Sequence, residues 1–161
     1  MLQRIYQIIR FVLPVFVAAV FLDSLRFKFT DAPETQEIFG RLDAWAASLG
    51  APGLFDHTGL FSQYVIGAAE LIASALILAG LIPALRRLQG VGALIGICVM
   101  TGAISFHLFT PLGIDPNNDG GGLFYAAIGV WFSCGALLYM NRAQLLSVGG
   151  GILSAFREER G

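Results

Sequence analysis

Residues 60–82, LFSQYVIGAAELIASALILAGLI, form one continuous apolar run that contains a single formal charge, Glu70. A helix that crosses the hydrocarbon core of a bilayer needs about 20 mostly apolar residues. Because lipid cannot satisfy exposed backbone groups, only helices and closed barrels span it. The apolar residues here are continuous and do not alternate as in barrel strands, so the run predicts a membrane-spanning helix.

Three further runs of the same character lie before and after this one, and composition agrees with them. Apolar residues make up 56% of the chain and charged residues 13%, whereas a soluble domain has about 25% charged residues. The first run lacks a clean cleavage site after its apolar core, so we expect a retained helix and not a signal peptide. We predict one all-α integral membrane domain over residues 1–161, a four-transmembrane-helix bundle with spans at about 4–28, 60–83, 87–110 and 122–141.

The segment between the first two predicted spans carries a further helical pattern at about 32–49. Asp31 can cap this helix, and Glu34 three residues later completes a capping box. An apolar face recurs at helical spacing and comprises Ile38, Leu42, Trp45 and Leu49. An amphipathic helix with a Trp on its apolar side suits a membrane interface. Packing over the ends of the spans is the alternative, and the two are compatible with each other.

Basic residues predict the orientation of the bundle. Arginines gather at the start of the first span, between the second and third, and after the fourth: Arg4, Arg10, Arg86, Arg87, Arg142, Arg157 and Arg160. Short loops rich in Lys and Arg face the cytoplasm. We therefore expect both termini, including a tail at 142–161, to be cytoplasmic. The amphipathic helix and the loop DPNNDGGG, residues 115–122, then lie on the outer face.

Glu70 is the most informative single residue, because an ionised carboxylate at the bilayer centre costs at least about 2.5 kcal/mol. A stripe of small and polar residues shares its helix face and comprises Gln63, Gly67, Glu70 and Ser74. We expect this face to point into the protein. Glu70 could carry a proton or hydrogen-bond a ligand, or it could hold two helices together by an interhelical hydrogen bond.

His107 lies about one turn inside the outer end of the third predicted span. Its imidazole could take up a proton, bind a metal or hydrogen-bond a quinone carbonyl. An ordinary interfacial histidine that serves only the structure is the alternative. Glu70 should lie deeper in the membrane than His107, so a bound molecule or water could bridge the two.

Asp23, Arg26 and Lys28 crowd the outer end of the first span. Asp23 and Arg26 are three apart and could pair on one helix face. If the helix continues to Phe29, these charges enter the membrane and could pair with Glu70. If it stops near Leu22, they remain ordinary interface charges, and the sequence leaves both alternatives open.

Two glycines and two cysteines complete the candidate residues within the spans. Gly92 and Gly96 form a close-packing motif, which could join helices within the chain or make a homo-oligomer. Cys98 and Cys134 form no C-x-x-C pair, so we read them as buried structural cysteines and not as redox or zinc ligands. A net charge of −1 gives no indication of nucleic-acid binding.

The outer loop begins like a calcium loop, with Asp115, Asn117, Asp119 and Gly120 at the matching positions. Ala126 stands where the loop needs a bidentate Glu, which excludes a full calcium-binding loop. We predict no metal site, and interpret the segment as a turn that shapes the rim of a pocket beside His107.

Three short segments carry a resemblance to a known family: SLRFKFT (24–30), AAELIASALILAGLIP (68–83) and FHLFTPLGI (106–114). The chain resembles the DoxX-like family of small four-helix bacterial membrane proteins over about residues 10–140. The resemblance implies a multi-pass protein of the bacterial inner membrane. It also implies an association with thiosulfate:quinone oxidoreductase subunits or with membrane partners of redox enzymes. Lys28, Glu70 and His107 stand at polar positions typical of that family.

The leading hypothesis is a membrane subunit or accessory protein of a redox system that binds quinone in an outward-facing pocket. If the chain is catalytic, it is then part of a quinone-linked oxidoreductase. Glu70 would exchange a proton or a hydrogen bond, His107 would bind the head group, and Lys28 or Arg26 would balance Glu70. Its expected partners are the lipid bilayer and a redox enzyme. Two alternatives stay open: an oligomeric transporter or channel for a small solute or proton, and a purely structural assembly subunit.

Overall fold

The structure, a computed structural model, describes residues 2–146. Within that range helices are the only regular secondary structure, and no strand is formed. The predicted cytoplasmic tail falls largely on residues 147–161, which lie outside the described residues. The helices are α1 (Leu2–Lys28), α2 (Pro33–Ser48), α3 (Gln63–Ala79), α4 (Arg86–Phe109) and α5 (Gly122–Met140), with a 3-10 turn at Pro83–Leu85 before α4.

Three helical segments are long and apolar enough to cross a membrane: Gln3–Lys28, Pro83–Phe109 and Gly122–Met140. The prediction of an all-helical chain is therefore confirmed for the described residues, and these three segments are compatible with a membrane protein. α3 is also apolar, but it is shorter than the predicted span at 60–83. Its start is set by the Ser62 hydroxyl, which accepts the Val65 N–H at 3.3 Å, and its end by a C-cap at Gly80.

The core is built where α1, α3, α4 and α5 pack against one another. Its centre consists of Val17, Phe21, Ala73, Ile77, Ala93, Met100, Ala127, Val130, Cys134 and Leu137. Large apolar side chains also cover the outside of the bundle, such as Ile8 and Phe11, each about 60% exposed. Water disfavours an apolar surface of this extent, whereas lipid accepts it.

Gly92 and Gly96 serve contacts within the chain. A Cβ atom on Gly92 would lie 2.8 Å from the carbonyl oxygen of Ala73, and one on Gly96 would lie 2.8 Å from the Cys134 sulfur. Both glycines are buried because α3 and α5 approach them closely. They leave no surface for a second copy, so the homo-oligomer predicted through Gly92 and Gly96 gains no support.

The two cysteines differ in their surroundings. Cys134 is buried in the core, as predicted, whereas Cys98 is exposed. The prediction for Cys98 was wrong because its face of α4 points outward, along with Leu94 one turn earlier. An apolar run shows that a residue lies in a membrane helix, but it does not show which side faces lipid.

α2 lies over the ends of the other helices. Its Leu42 and Ala46 are buried with Phe55 and Leu112 in a second apolar cluster, which is the packing alternative considered above. Leu49 falls just beyond the helix and is 68% exposed, so it does not share the buried face.

The predicted capping box of α2 is wrong. The N-cap residue is Ala32, with no side-chain cap, because Asp31 turns its carboxylate toward α3 instead. Asp31 itself has φ of +53°, in the left-handed region that Asp and Asn tolerate better than most residues.

The bundle has two distinct ends. Lys28 at the end of α1 meets Gln63 at the start of α3. His107 near the end of α4 packs on Phe124 near the start of α5. We call this end, which α2 covers, the α2 end. The opposite end, where α4 begins at Arg86, is called the Arg86 end.

Candidate polar site between α1 and α3

Glu70 is almost completely buried, with 3% of its surface exposed. The other members of the predicted stripe, Gln63, Gly67 and Ser74, are buried on the same side of α3. The prediction that this face points into the protein is confirmed. A carboxylate placed there needs a partner, because an isolated charge in a low-dielectric interior is strongly unfavourable.

Lys28 is that partner. Its ammonium nitrogen lies 3.1 Å from Oε1 and 3.0 Å from Oε2 of Glu70, and it also donates to the Ser24 hydroxyl. The Lys28 side chain is 14% exposed and that of Glu70 is 3% exposed. A lysine ammonium has three donors, so the pair and Ser24 account for all of them. The question left open by the sequence is thereby answered: α1 continues to Lys28 and brings its charge to Glu70.

A glycine makes this approach possible. A Cβ atom on Gly67 would lie 3.2 Å from the Phe29 ring and 3.5 Å from the Lys28 side chain. The missing side chain lets the end of α1 lie directly on α3, one turn before Glu70. The stem of Lys28 can then cross α3 and place its ammonium against the buried carboxylate.

Arg26 and Asp23 are placed differently from Lys28. They form an ion pair with each other at 2.8 Å, and their side chains are 67% and 61% exposed. The Arg26 guanidinium also lies over the Phe27 ring, 4.5 Å from its centroid. Of the two cations predicted to balance Glu70, the structure brings only Lys28 to it.

A second polar network fixes the end of α1, and the sequence reasoning missed most of it. Gln63 donates from Nε2 to the Lys28 carbonyl oxygen at 2.8 Å, and also to Asp31. Asp31 accepts the Tyr64 hydroxyl at 2.6 Å, while Gln36 of α2 donates to the Gln63 amide oxygen at 2.8 Å. The buried position of Gln63 on the polar stripe was the available signal. The network ties α1, α2 and α3 together around Lys28.

His107 is 8% exposed and is held by the loop that follows α4. Its Nδ1 lies 2.6 Å from the Gly113 carbonyl oxygen, and its ring packs edge-on against Phe124 at 5.6 Å. A carbonyl only accepts, so Nδ1 must carry a proton and Nε2 of the neutral ring is then an acceptor. Within the described residues, no hydrogen bond or ion pair joins His107 to Glu70.

The carboxylates of the loop at residues 115–122 accept hydrogen bonds from backbone amides. Asp115 accepts the Asp119 N–H at 2.8 Å, and Asp119 in turn accepts from Gly121 and Gly122, each at 3.0 Å. Asp119 thereby satisfies amides at the start of α5. Residues 2–146 contain no group of three or more His, Cys, Asp or Glu side chains placed to hold a metal ion.

The site can therefore hold a buried proton or offer a cationic donor to a ligand. The ammonium of Lys28 makes two hydrogen bonds to the Glu70 carboxylate and one to the neutral Ser24 hydroxyl. A ligand would replace the bond to Ser24 most easily, because the bonds to the carboxylate are between opposite charges.

No family model, no curated protein and no solved structure matches the chain.

Proposed function

We propose that the chain is a four-span protein of the bacterial inner membrane, similar to DoxX-like proteins, and that it serves a redox system as a membrane subunit or accessory protein. The single observation that carries the proposal is the buried ion pair of Lys28 and Glu70. Ionisable groups inside membrane helices are rare and mark functional sites by default. The ligand we propose for this pair is the head group of a quinone.

The four-span topology treats α3 as the remaining span. At about 1.5 Å per residue, its 17 residues cover about 25 Å, close to the about 30 Å of the hydrocarbon core. Apolar residues continue on both sides, with Leu60 and Phe61 before α3 and Leu81 and Ile82 after it. An even number of spans puts both ends of the chain on one side, and the arginines of the Arg86 end favour the cytoplasm. The α2 end, with Lys28 and Glu70, then faces outward.

Lys28 and Glu70 have complementary roles toward a quinone head group. An ammonium can donate to a carbonyl oxygen that takes the place of the Ser24 hydroxyl. Glu70, next to that ammonium, can give or take the proton that accompanies a change of redox state. His107, with Nε2 as an acceptor, suits a quinol hydroxyl better than a quinone carbonyl. The electrons come from a partner enzyme.

The test is quinone binding by the purified full chain in a neutral detergent, titrated with a short-chain ubiquinone. We expect Glu70→Gln and His107→Ala each to abolish binding while the protein stays folded. Arg41→Gln is the matched control, because Arg41 pairs with Glu37 on the surface of α2 and lies outside the site. Unchanged binding in both site variants would sink the proposal.

A purely structural role is the second candidate, and a specific observation favours it. The Lys28 ammonium and both Glu70 oxygens are satisfied within the chain, so the pair can stabilise the bundle without any ligand. The double variant Lys28→Met/Glu70→Met separates the two roles, because it removes the charges and keeps an apolar contact. Full activity of the partner enzyme with this variant would favour the structural role.

A further inference from the structure

An aromatic ring lies directly beside the pair of Lys28 and Glu70, and it belongs to Phe29, the next residue in the chain. Phe29 continues the hydrogen bonding of α1, because its N–H donates to the Leu25 carbonyl oxygen at 2.9 Å. A Cβ atom on Gly67 would lie 3.2 Å from Cζ of Phe29 and 3.5 Å from Cδ of Lys28. The two side chains therefore lie side by side against α3, one turn before Glu70.

The Phe29 ring is held in place and yet remains accessible. It stacks on the Tyr64 ring, with the two centroids 6.3 Å apart and an angle of 16° between the planes. Tyr64 is itself fixed, because its hydroxyl donates to Asp31 at 2.6 Å and its ring contacts His57 at 5.5 Å. Phe29 is nevertheless 46% exposed. A planar ring can stack on such a pre-ordered aromatic side chain at little cost in conformational freedom.

The charge beside the ring indicates what kind of molecule stacks there. The Lys28 side chain is 14% exposed, and its ammonium can exchange the bond to the Ser24 hydroxyl for one to another acceptor. A lipid acyl chain can cover Phe29, but it offers no acceptor to that ammonium. A flat conjugated ring with a carbonyl oxygen matches both groups, because its face stacks on Phe29 while its oxygen accepts from Lys28.

We propose that Phe29 is a specificity-determining residue of this site and that it favours a two-ring naphthoquinone over a one-ring benzoquinone. The inference rests on the proposed function, because it takes a quinone as the ligand of Lys28 and Glu70. A fused second ring adds aromatic surface that covers Phe29 while the carbonyl of the quinone ring stays at Lys28. Stacking of aromatic rings adds to the energy of the buried area itself, so the larger head group gains more from Phe29.

The test measures how tightly the purified full chain, in a neutral detergent, binds two quinones with the same short isoprenoid tail. One has a naphthoquinone head group and the other a benzoquinone head group. The ratio of the two dissociation constants is compared between variants, so that uptake of each quinone by the detergent cancels. We expect Phe29→Leu to weaken naphthoquinone binding about fivefold and benzoquinone binding about twofold, within the range of one aromatic contact. The preference for the naphthoquinone should therefore fall.

Phe27→Leu is the matched control in the same helix. The Phe27 ring lies two residues before Phe29 and packs under the Arg26 guanidinium, 4.5 Å from its centroid, so its loss should leave the ratio unchanged. Phe29→Trp enlarges the aromatic surface and should raise the preference for the naphthoquinone. It decides the outcome if Phe29→Leu does not fold, which circular dichroism shows.

The results separate this inference from the function on which it rests. If both quinones bind and their ratio is the same in Phe29→Leu as in the unaltered chain, the role of Phe29 is overturned and the quinone site stands. An equal fall of the ratio in Phe27→Leu would also overturn that role, because it would show a general effect of lost packing. If the unaltered chain binds neither quinone, both the role of Phe29 and the proposed function fail.

Discussion

The two ends of the bundle each contain a buried polar pair, and the pairs are built differently. At the α2 end, Lys28 and Glu70 are charged, and the ammonium and both carboxylate oxygens all have partners. At the Arg86 end, Asn141 donates from Nδ2 to the Gln89 amide oxygen at 3.0 Å and to the Leu137 carbonyl at 2.8 Å. Gln89 Nε2 and Asn141 Oδ1 have no partner within the described residues.

The difference shows how charge limits what a membrane interior tolerates. An unpaired buried amide atom costs about 1–3 kcal/mol, which a stable bundle can accept. An unpaired buried charge costs much more, so the ionic pair must be complete. The charged pair is therefore the more sensitive of the two to substitution of one partner. This does not mean that either pair stabilises the fold more than two apolar residues in the same place would.

The largest expected effect comes from Lys28→Met. It leaves Glu70 buried without its cation, and we expect the free energy of unfolding to fall by about 3–5 kcal/mol. Denaturant titration in detergent, followed by circular dichroism, measures this loss. The double variant Lys28→Met/Glu70→Met should recover most of it, because two apolar residues of similar size can replace a buried ion pair. Equal stability of the single and double variants would contradict this account of the pair.

Gly92→Ala tests the packing between the two ends, independently of either polar pair. The new methyl group would collide with the backbone of α3, where the Ala73 oxygen and the Ile77 nitrogen would be 2.8 and 2.9 Å away. We expect a loss of about 1–3 kcal/mol, typical of overpacking, in the same unfolding measurement.

Gly102→Ala is the matched control for Gly92→Ala in the same helix. Its Cβ would meet only the edge of the Phe106 ring at 3.9 Å, so the gain in helix propensity of up to about 1 kcal/mol should remain. A loss of stability in both variants would show that the contact between α3 and α4 is not what distinguishes Gly92.

Gln89→Leu should lower the free energy of unfolding less than Lys28→Met or Gly92→Ala does. It removes one hydrogen bond to Asn141, but it also removes the unpaired Nε2 donor, so we expect a change within about 1 kcal/mol. The Asn141 amide keeps its bond to Leu137. A loss as large as that of Lys28→Met would refute the contrast between a charged and a neutral pair.

Arg26→Gln should have the smallest effect. Arg26 and Asp23 form an exposed pair, and such pairs contribute at most about 1 kcal/mol. Comparison with Lys28→Met, two residues along the same helix, isolates the effect of burial on a cation. A loss of several kcal/mol in Arg26→Gln would contradict this contrast between an exposed and a buried cation.

Several features of the fold and the site could be predicted from the sequence, because they depend on local patterns. Long apolar runs predict a helical chain and indicate a membrane protein, whatever the packing of the helices. The spacing of Gln63, Gly67, Glu70 and Ser74 shows that they share a face, and a charge on an apolar helix must turn inward. These inferences need only the period of a helix and the cost of charge in lipid.

Other features were decided by contacts between helices, which local patterns do not reveal. Lys28, and not Arg26, reaches Glu70, because Gly67 lets the end of α1 lie on α3 and because Gln63 and Asp31 hold it there. Asp31 matches the sequence pattern of a helix cap, but in the structure its carboxylate accepts hydrogen bonds from Gln63 and Tyr64 of α3. The motif of Gly92 and Gly96 likewise predicts a close helix contact, but it does not show which helices make that contact. Partner choice in a bundle depends on which faces meet, and those faces are set by the packing of all the helices together.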